Sequence, residues 1–398
     1  MYNKKKLLIL GGSEFQIPLI LEAKKLGIIT YVVDININAP AMQYADHKYQ
    51  MSVKDKKGIL KIAKEIMPDG VTVGMVDVAV PTCAYINQEL NLNGLDVETA
   101  INATNKYEMI KCFKKFNVPA PDYYYVSCNE LNEIKDCKLV FPLIIKPVDM
   151  AGSRGIYLVN NRNEFLKALK ESSEISDTGN LLIEEYLEGP EVSVEMVIID
   201  GNPNIIQITD KSTSGPPHFA EVGHLQPSRL PADVKEKIKE IVCNAAKSLG
   251  LVNSLGHAEL KITSTGPKMI ELGARAGGDA IGEQLILLST GVNFSKIAID
   301  IAFGYDVLIP NVKNEISCIR FIQSRKGILK NVSGIEEAKK IDCVYDVKFT
   351  GVIDNEYDDV VDNSGRLGYV ITYGTNYDHV IEACNKAIDL IEVKFDEK

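Results

Sequence analysis

The sequence has no surplus of basic charge, since 44 lysines and arginines face 54 aspartates and glutamates and the formal net charge is −10. A protein dedicated to DNA or RNA needs a basic surface that displaces counterions from the phosphate backbone. The charge balance therefore argues against a nucleic-acid partner. It does not exclude ATP, whose charge can be met locally by lysines and a metal ion.

Long apolar runs and paired cysteines are missing too. No stretch approaches the length of a membrane span, and the opening MYNKKKLLILGGS has only four apolar residues before two glycines, fewer than a secretory signal needs. The eight cysteines are scattered without a CxxC pair, so neither a disulfide framework nor a zinc site is expected. These absences predict a cytoplasmic protein with reduced thiols and no membrane partner.

Two nucleotide-binding fingerprints are also absent. The dinucleotide pattern GxGxxG is incomplete, because Gly11 and Gly12 are followed by SEF. A tight turn between strand and helix is the preferred interpretation, and Asp34 on a cofactor ribose is the alternative. The mouth of such a sheet could hold part of a small substrate. The Walker A pattern GxxxxGK(S/T) does not occur in the chain, so any bound phosphates need another arrangement.

The predicted strands and helices and the candidate site residues divide the 398 residues into three pieces. Residues 1–102 alternate strands such as KKLLIL, ITYVVDI and VTVGMVD with helices, which predicts a doubly wound α/β sheet. Residues 103–309 carry almost all the candidate chemistry. Residues 310–398 predict strands at ISCIRFIQ, YDVKFTG and RLGYVITYG and a final helix, HVIEACNKAIDLIEV, packed on the middle piece.

Within the middle piece, EVSVEMVII alternates strictly, which predicts a strand with Glu191, Ser193 and Glu195 on one face and apolar residues on the other. The following segment, ITDKSTSGPPHFAEVGHLQPSRLP, is rich in turn residues. We predict it to be a long loop of the kind that borders active sites.

The segment GHAELKITSTGPKMIELGARAGGD, residues 256–279, predicts a β-hairpin. Matching its apolar faces sets Leu260 opposite Ile270 and Glu259 opposite Glu271. Like charges directly across a ladder destabilise a sheet by up to about 1 kcal/mol. A divalent cation between the carboxylates would offset this cost, and Mg²⁺ favours one or two carboxylates together with phosphate oxygens. The alternative is that both side chains splay into solvent.

A second candidate site lies in LVFPLIIKPVDMAGSRGIYLV, where a buried strand ends on Lys146 and a glycine-rich loop follows. A cation beside backbone N–H groups that are free to approach an anion can hold phosphates as a Walker A loop does. The loop supplies Gly152, Ser153, Arg154 and Gly155. A plain turn is the alternative. Two further cations could join the site from elsewhere, with a solvated surface position as the alternative for each: Lys106 on the preceding helix and Arg275 after the hairpin.

The order of these features resembles the ATP-grasp family: IIKP, a glycine loop, LIEEYLEGPEVSVE, and a late Glu followed by Glu-x-x-x-Arg. The resemblance covers nearly the whole chain. It implies an α/β protein with a pre-ATP-grasp domain (1–102), an ATP-grasp domain (103–309) and a small biotin-carboxylase-like C-terminal domain (310–398). It also implies ATP and one or two Mg²⁺ ions as cofactors, with Mn²⁺ as a substitute.

The resemblance further implies a role for each matching residue. Lys106 and Lys146 would hold the α- and β-phosphates, and the loop Met150–Gly155 would close over the β- and γ-phosphates. The remaining roles are adenine recognition by Glu184, Glu185, Tyr186 and Leu187, ribose binding by Glu191, Mg²⁺ binding by Glu259 and Glu271, and stabilisation of the acyl phosphate and tetrahedral intermediate by Arg275. Many members carry an asparagine two residues after the second glutamate, where this chain has Gly273, so the second Mg²⁺ is less firmly expected.

Within the family, PPHFAEVGHLQPS resembles the L-amino acid ligase and carnosine-synthase branch. This implies that Glu221 pairs with a substrate ammonium group and that His224 lies near the substrate, although His224 could equally be a loop or core residue. Where that branch has a bulky residue after the glycines, this chain has Asp279, so its substrate pocket is expected to differ.

The expected reaction is ATP-dependent formation of an amide or peptide bond through an acyl phosphate, on small-molecule substrates that include amino acids. Enzymes that resemble this chain are commonly homodimers. Two alternatives remain: a bicarbonate-using enzyme that forms carboxyphosphate, and a nucleotide-binding module without catalysis.

Overall fold

The computed structural model describes residues 2–131, 134, 139–216 and 219–396. The N-terminal part is a parallel sheet in the order β3-β2-β1-β4. Its strands are β1 (Lys6–Leu10), β2 (Ile29–Asp34), β3 (His47–Gln50) and β4 (Gly70–Thr72), and its helices are α1 (Ile17–Lys25), α2 (Lys56–Ile66), α3 (Val80–Leu90) and α4 (Val97–Asn102). The predicted doubly wound sheet is confirmed.

The loops after β1 and β4 meet at the carboxyl edge of this sheet. Gly11 has a φ of 110°, and a Cβ there would lie 2.5 Å from the Val76 side chain, so the close approach requires glycine. The strand predicted over VTVGMVD is shorter than expected, because the chain turns at Gly74 with a φ of 56°. This turn sends Asp77 toward the middle of the molecule.

A small lobe follows α5 (Lys106–Lys115). Its antiparallel sheet has the order β5-β8-β6-β7, with α6 (Arg162–Ile175) packed on it through buried Phe165 and Leu169. The strands are β5 (Tyr123–Val126), β6 (Leu143–Pro147), β7 (Tyr157–Val159) and β8 (Leu181–Glu185).

The largest sheet runs in the order β13-β12-β9-β10-β11-β14-β18-β16. It joins two of the predicted pieces, because β11 pairs with β14. Its strands are β9 (Glu191–Ile199), β10 (Asn202–Thr213), β11 (Glu221–Gln226), β12 (Ser254–Thr263), β13 (Gly266–Gly273), β14 (Ile316–Gln323), β16 (Val344–Phe349) and β18 (Arg366–Gly374). The sheet thus continues past the boundary predicted at residue 309.

Helix α7 (Ala232–Leu249) covers one face of this sheet and ends at Gly250, whose left-handed φ is 82°. A π-helical turn (Ile281–Leu285) leads into α8 (Ile286–Thr290) and α9 (Phe294–Phe303). Among the described residues, no single helix is long and apolar enough to cross a membrane. Two helical segments separated by a sharp bend, residues 281–290 and 294–303, are together long and apolar enough, judged by length and composition alone.

The C-terminal part adds a small sheet in the order β17-β15-β19. Its elements are β15 (Gly327–Ser333), α10 (Ile335–Ala338), β17 (Glu356–Tyr357), α11 (Tyr377–Leu390) and β19 (Glu392–Asp396). Helix α11 packs through Val380 and Cys384 against the large sheet. The final helix was predicted to continue through Val393, which is wrong, since the last residues form β19.

The long loop predicted over residues 208–231 is wrong for half of its length. This half belongs to the paired strands β10 and β11. Turn-forming residues dominate the composition of this stretch, but pairing with β9 and β14 on either side supplies the hydrogen bonds that make it a sheet. Residues 217 and 218 of the PPHFAEVGHLQPS segment lie outside the described residues.

Candidate active site

The two hairpin glutamates face each other as predicted. Strands β12 and β13 pair Glu259 with Glu271 directly across the ladder. The predicted partner of Leu260 is wrong, since a β-bulge after Glu259 moves Leu260 opposite Met269 instead of Ile270. The bulge falls beside the acidic pair, where an irregularity can re-aim a side chain.

Two buried lysines compensate these carboxylates. Lys106 Nζ lies 2.8 Å from Glu271, and Lys211 Nζ lies 3.0 Å from Glu259. Burial lowers the pKa of Lys106, but the attraction of Glu271 outweighs it and leaves the pKa raised. Burial raises the pKa of Glu271, and Lys106 reverses this, so the net shift is downward. Both groups are therefore charged at neutral pH.

Sequence reasoning missed Lys211, because it falls in the segment predicted as a loop. On strand β10 its ammonium group contacts three carboxylates, those of Glu191 and Glu221 at 2.8 Å each and that of Glu259 at 3.0 Å. Burial lowers the pKa of Lys211, but Glu191, Glu221 and Glu259 together raise it well above its usual value. The lysine is the permanent cation of this acidic face.

His257 and Glu195 form a second unpredicted pair below Glu259. They are cross-strand neighbours on β12 and β9, and His257 Nδ1 hydrogen-bonds to Glu195 while its Nε2 lies 3.2 Å from Glu259. Burial lowers the pKa of His257, but Glu195 and Glu259 reverse this and raise it to about 9. The strict alternation of β9 had placed Glu195 on this polar face without giving it a role.

The phosphate-loop residues stand where the sequence predicts. Lys146 lies near the end of β6 and forms a buried ion pair with Glu184, 2.6 Å apart. In the following loop Gly152, Ser153 and Gly155 all have left-handed φ values, of 69°, 61° and 73°. A turn of this kind beside a lysine can present backbone N–H groups to an anion. The loop is tied to the site through Lys106, whose ammonium donates to the Met150 carbonyl at 2.9 Å.

The exposed Arg154 side chain folds back on this loop, and its Nε donates to the Ala151 carbonyl at 3.1 Å. It thus contributes charge near the loop and a bond that shapes it.

A cleft of about 740 Å³ opens between the small lobe and the large sheet. One end is lined by apolar and aromatic side chains, among them Ile144, Leu187 and Phe219. The predicted adenine-reading residues Glu184 to Leu187 border it, and so does Glu191, which pairs with Lys211 and Lys261. An adjoining void of about 510 Å³ is bordered by the glycine loop, both predicted phosphate lysines and both hairpin glutamates.

The two cavities share Lys146, Ser153 and Glu259 among their lining residues. An elongated ligand with an apolar ring at one end and a charged chain at the other therefore matches the combined space.

Arg275 lies beside the N-terminal sheet. Its Nε is 3.2 Å from the Asp77 carboxylate, and its guanidinium also donates to the Ala276 carbonyl at 2.9 Å. A Cβ at Gly273 would lie 3.0 Å from Asp77, so a larger residue there would crowd this ion pair.

Glu221 is held by three groups. Besides Lys211, it lies 3.2 Å from Arg366 and 3.4 Å from His224. Burial raises the pKa of Glu221, and Lys211 more than reverses this, so the carboxyl stays ionised. His224 is fully buried edge-on to the Phe321 ring, and burial lowers its pKa, so its imidazole is neutral. Any role of His224 in catalysis would act through Glu221.

Arg366, from β18, was not predicted as a site residue. Its guanidinium stacks on Phe321, with 3.8 Å to the ring centroid, and contacts Asp279 at 2.6 Å. Burial has the largest effect on the pKa of Asp279 and raises it, and the negative charge of Glu221 raises it further. Arg366 lowers it in part, and the resulting pKa is about 7. Sequence analysis used the surrounding GRLGYVITYG only as a sign of the C-terminal domain. Position 279, which is a bulky residue in the L-amino acid ligase branch, is here an aspartate that forms an ion pair with Arg366.

The donor set at Glu259 and Glu271 suits a hard divalent cation. Two opposed carboxylates, next to a void that phosphate oxygens could enter, match the preference of Mg²⁺ for one or two carboxylates plus phosphates. The adjacent lysines already balance part of the negative charge, as expected where a nucleotide brings its own charge with the metal. We therefore consider these residues compatible with a magnesium ion.

Comparison with known families divides the chain in the same order. Residues 4–94 match the ribonucleotide synthetase preATP-grasp domain, residues 139–283 an ATP-grasp domain, and residues 320–396 the L-amino acid ligase C-terminal domain 2. Together these matches confirm the resemblance stated from the sequence and the three-domain architecture.

Curated relatives fall into more than one activity. A formate-dependent phosphoribosylglycinamide formyltransferase of Prochlorococcus marinus is 26% identical over 358 residues, covering 86% of this chain and 87% of the relative. An alanine–anticapsin ligase of Bacillus subtilis is 28% identical over 278 residues, covering 64% of this chain and 58% of the relative.

Solved structures agree on the fold. A phosphoribosylglycinamide synthetase from Anaerococcus prevotii has a TM-score of 0.79 at 25% identity, covering 99% of this chain and all of the other. An L-amino acid ligase from Bacillus licheniformis has a TM-score of 0.86 at 23% identity, with both chains fully covered.

Proposed function

We propose that this chain, an ATP-grasp ligase that uses ATP and Mg²⁺, joins an amino-acid carboxylate to the amine of a second small molecule. The observation that carries the proposal is the opposed pair of Glu259 and Glu271, each compensated by a buried lysine, at the junction of the two cavities. The match of the C-terminal part to an L-amino acid ligase domain supports amino acids as substrates.

In this proposal the cleft binds the nucleotide. The apolar end takes the base, with Glu184, Glu185, Tyr186 and Leu187 along its edge, and Glu191 takes the ribose hydroxyls. Lys106, Lys146 and the loop from Gly152 to Gly155 hold the phosphates. Glu259 and Glu271 would hold Mg²⁺, which when bound neutralises phosphate charge and polarises the transferring phosphoryl group.

A carboxylate does not react directly with an amine, because its oxygen is a poor leaving group. The carboxylate must therefore first be activated by ATP. The γ-phosphoryl group of ATP passes to a carboxylate oxygen, which gives ADP and an acyl phosphate. The uncharged amine then attacks the acyl carbon, the C–O bond to phosphate breaks, and the proton that the amine nitrogen loses is taken up by the departing phosphate. The products are an amide and inorganic phosphate. Arg275 donates to the oxyanion of the tetrahedral intermediate, where a fixed guanidinium is most effective because the site is buried.

The cluster around Glu221 is suited to an ammonium group. Lys211 faces three carboxylates, those of Glu191, Glu221 and Glu259, so negative charge stays in excess around Glu221 and suits an ammonium group. Arg366 is already paired with Glu221 and Asp279, so it offers little net charge to an anionic substrate. This balance favours an amine over bicarbonate at this end of the site.

A second candidate is activation of a one-carbon acid, formate or bicarbonate. The observation in its favour is the formate-dependent relative, which covers 86% of this chain. Purified protein should be incubated with ATP and Mg²⁺, and phosphate release measured with pairs of amino acids, with formate and with bicarbonate. Release that depends on an amino-acid pair supports the ligase, whereas release with a one-carbon acid alone favours the second candidate.

Glu271→Gln provides the site-specific test. Removing the charge of one carboxylate should lower phosphate release by roughly 100-fold or more, since metal stabilisation of the transition state amounts to several kcal/mol. ADP affinity measured without metal should change little. Glu236→Gln, an exposed glutamate on α7, is the matched control. Undiminished turnover in Glu271→Gln would remove the metal assignment.

The cytosolic location that the sequence predicts stays a prediction. The homodimer that the resemblance implies stays a prediction.

A further inference from the structure

The polar face of the large sheet continues below Glu259 as a chain of buried groups that the proposed reaction does not use. We infer that His257 is a positioning residue, which fixes the Glu259 carboxylate for the metal and links it through Glu195 to the loop that bears Arg275. This inference rests on the metal assignment within the proposed function.

The first link is the contact of His257 with two carboxylates. Its Nδ1 faces Glu195 and its Nε2 lies 3.2 Å from Glu259 Oε1. Both ring nitrogens face carboxylate oxygens, so the ring bridges Glu195 and Glu259. Lys211 contacts the same Oε1 atom of Glu259 at 3.0 Å. Two donors on one oxygen restrict rotation of the carboxylate.

The second link is Glu195, which is completely buried on β9. Its other oxygen accepts the Gly277 N–H at 3.0 Å. Burying an ion pair usually adds little net stability, because the cost of removing both charges from water offsets their attraction. The buried pair of Glu195 and His257 is therefore better explained by how it orients Glu259 and the loop than by a gain in stability.

The third link is the close approach of the loop backbone at Gly277. A Cβ at this position would lie 2.8 Å from Glu195 Oε1 and 2.8 Å from His257 Nδ1. Only glycine fits without displacing the pair. Since Gly277 lies two residues after Arg275, the chain Glu259–His257–Glu195–Gly277 connects a proposed metal ligand to the proposed oxyanion donor.

The test measures metal affinity directly, with Mn²⁺ as an EPR-visible probe for Mg²⁺ in the presence of ADP. Removal of a group that orients a metal ligand typically lowers metal affinity by 10–100-fold. We expect His257→Phe to weaken Mn²⁺ binding by roughly that factor, and His257→Gln, which keeps one donor, to lose less. ADP affinity without metal should stay unchanged in both.

Gly277→Ala tests the link to the loop and serves if His257→Phe does not fold. It should also weaken Mn²⁺ binding, and its effect should be less than additive with that of His257→Gln because both break one chain. Val380→Ala, in the buried core under α11, controls for general destabilisation. It should lower the melting temperature without changing Mn²⁺ affinity.

The outcomes separate the two proposals. An Mn²⁺ dissociation constant in His257→Phe within about twofold of the wild-type value would overturn the positioning role, even if amino-acid-dependent ligation is found. Loss of Mn²⁺ affinity in the variant, together with no turnover on any amino-acid pair, would leave the inference standing and remove the proposed substrates. A wild-type protein that binds no Mn²⁺ with ADP would overturn the inference together with the metal assignment.

Discussion

At the scale of residues, the charge of a buried glutamate depends on the groups that surround it. Glu221, Glu259 and Glu271 each lie beside a lysine, and each has a lowered pKa although burial raises it. Glu283, on the π-helical turn, is 6% exposed, and among the described residues neither of its carboxyl oxygens has a hydrogen-bond partner. Burial, reinforced by Glu195 and Asp279, raises the pKa of Glu283 well above its usual value.

This difference predicts a pH-dependent effect of Glu283→Gln. In the folded wild type Glu283 keeps a proton that the unfolded chain releases above about pH 4.5, so its contribution to stability is lost progressively as pH rises from there. Glutamine copies the neutral acid at every pH. The stability of Glu283→Gln relative to the wild type should therefore increase as the pH rises from 5 to 8, by up to about 1.4 kcal/mol per pH unit.

Melting temperatures of both proteins across that pH range measure the effect. The two curves should converge as the pH falls below about 4.5, where Glu283 becomes protonated in the unfolded chain as well as in the folded one. A difference that stays constant from pH 5 to pH 8 would show that Glu283 does not titrate abnormally.

At the scale of elements, the site is one face of a sheet and the ends of a few helices. The alternation of β9 sends Val192, Val194, Met196 and Ile198 into the core. It leaves Glu191 and Glu195 on the face where Lys211 and His257 arrive from the neighbouring strands. Helix α5 begins at Lys106, and its N-cap, Asn105, accepts hydrogen bonds from the Tyr107 and Glu108 N–H groups.

We predict that Asn105→Ala affects both stability and ATP use. Loss of an N-cap costs about 1 kcal/mol, and fraying of the first turn would loosen Lys106. The Michaelis constant for ATP should rise several-fold. Asn376→Ala removes the equivalent cap of α11, where the side chain accepts from the His379 N–H at 3.0 Å.

The two cap variants should lose similar stability in thermal unfolding, but only Asn105→Ala should change the Michaelis constant. Equal kinetic effects would mean that α5 positions no phosphate-binding lysine.

At the scale of the whole molecule, the site is assembled from parts far apart in the chain. Asp77 comes from the N-terminal sheet to hold Arg275, and Arg366 comes from the C-terminal part to hold Glu221 and Asp279. The small lobe also touches the N-terminal part, through an ion pair between Lys54 and Asp177. A reactive acyl phosphate needs such enclosure, because water would otherwise hydrolyse it.

If the glycine loop closes over the nucleotide as proposed, bound nucleotide should protect the loop from protease. Arg154 is exposed, so trypsin should cleave after it when no nucleotide is bound. A non-hydrolysable ATP analogue with Mg²⁺ should slow this cleavage several-fold, as measured by mass spectrometry of the fragments. Cleavage after the exposed Lys326, away from the site, is the internal control. Equal rates at Arg154 with and without the analogue would contradict closure of this loop.

The sequence by itself determined the local features: the doubly wound N-terminal part, the face of β9 that carries glutamates, and the opposition of Glu259 and Glu271. These depend on periodicity and on a short turn, and both act over a few residues. The strand pair β10–β11 was missed because strand pairing overrode a composition rich in turn residues.

Only the tertiary structure decided the partners of the charges. Lys211, His257, Asp77 and Arg366 reach the site from separate strands and loops. The oppositely charged group that each one pairs with is decided by separations near 3 Å. Periodicity gives the face on which a side chain lies, but the charge state of a buried group follows from the neighbours that packing brings to it.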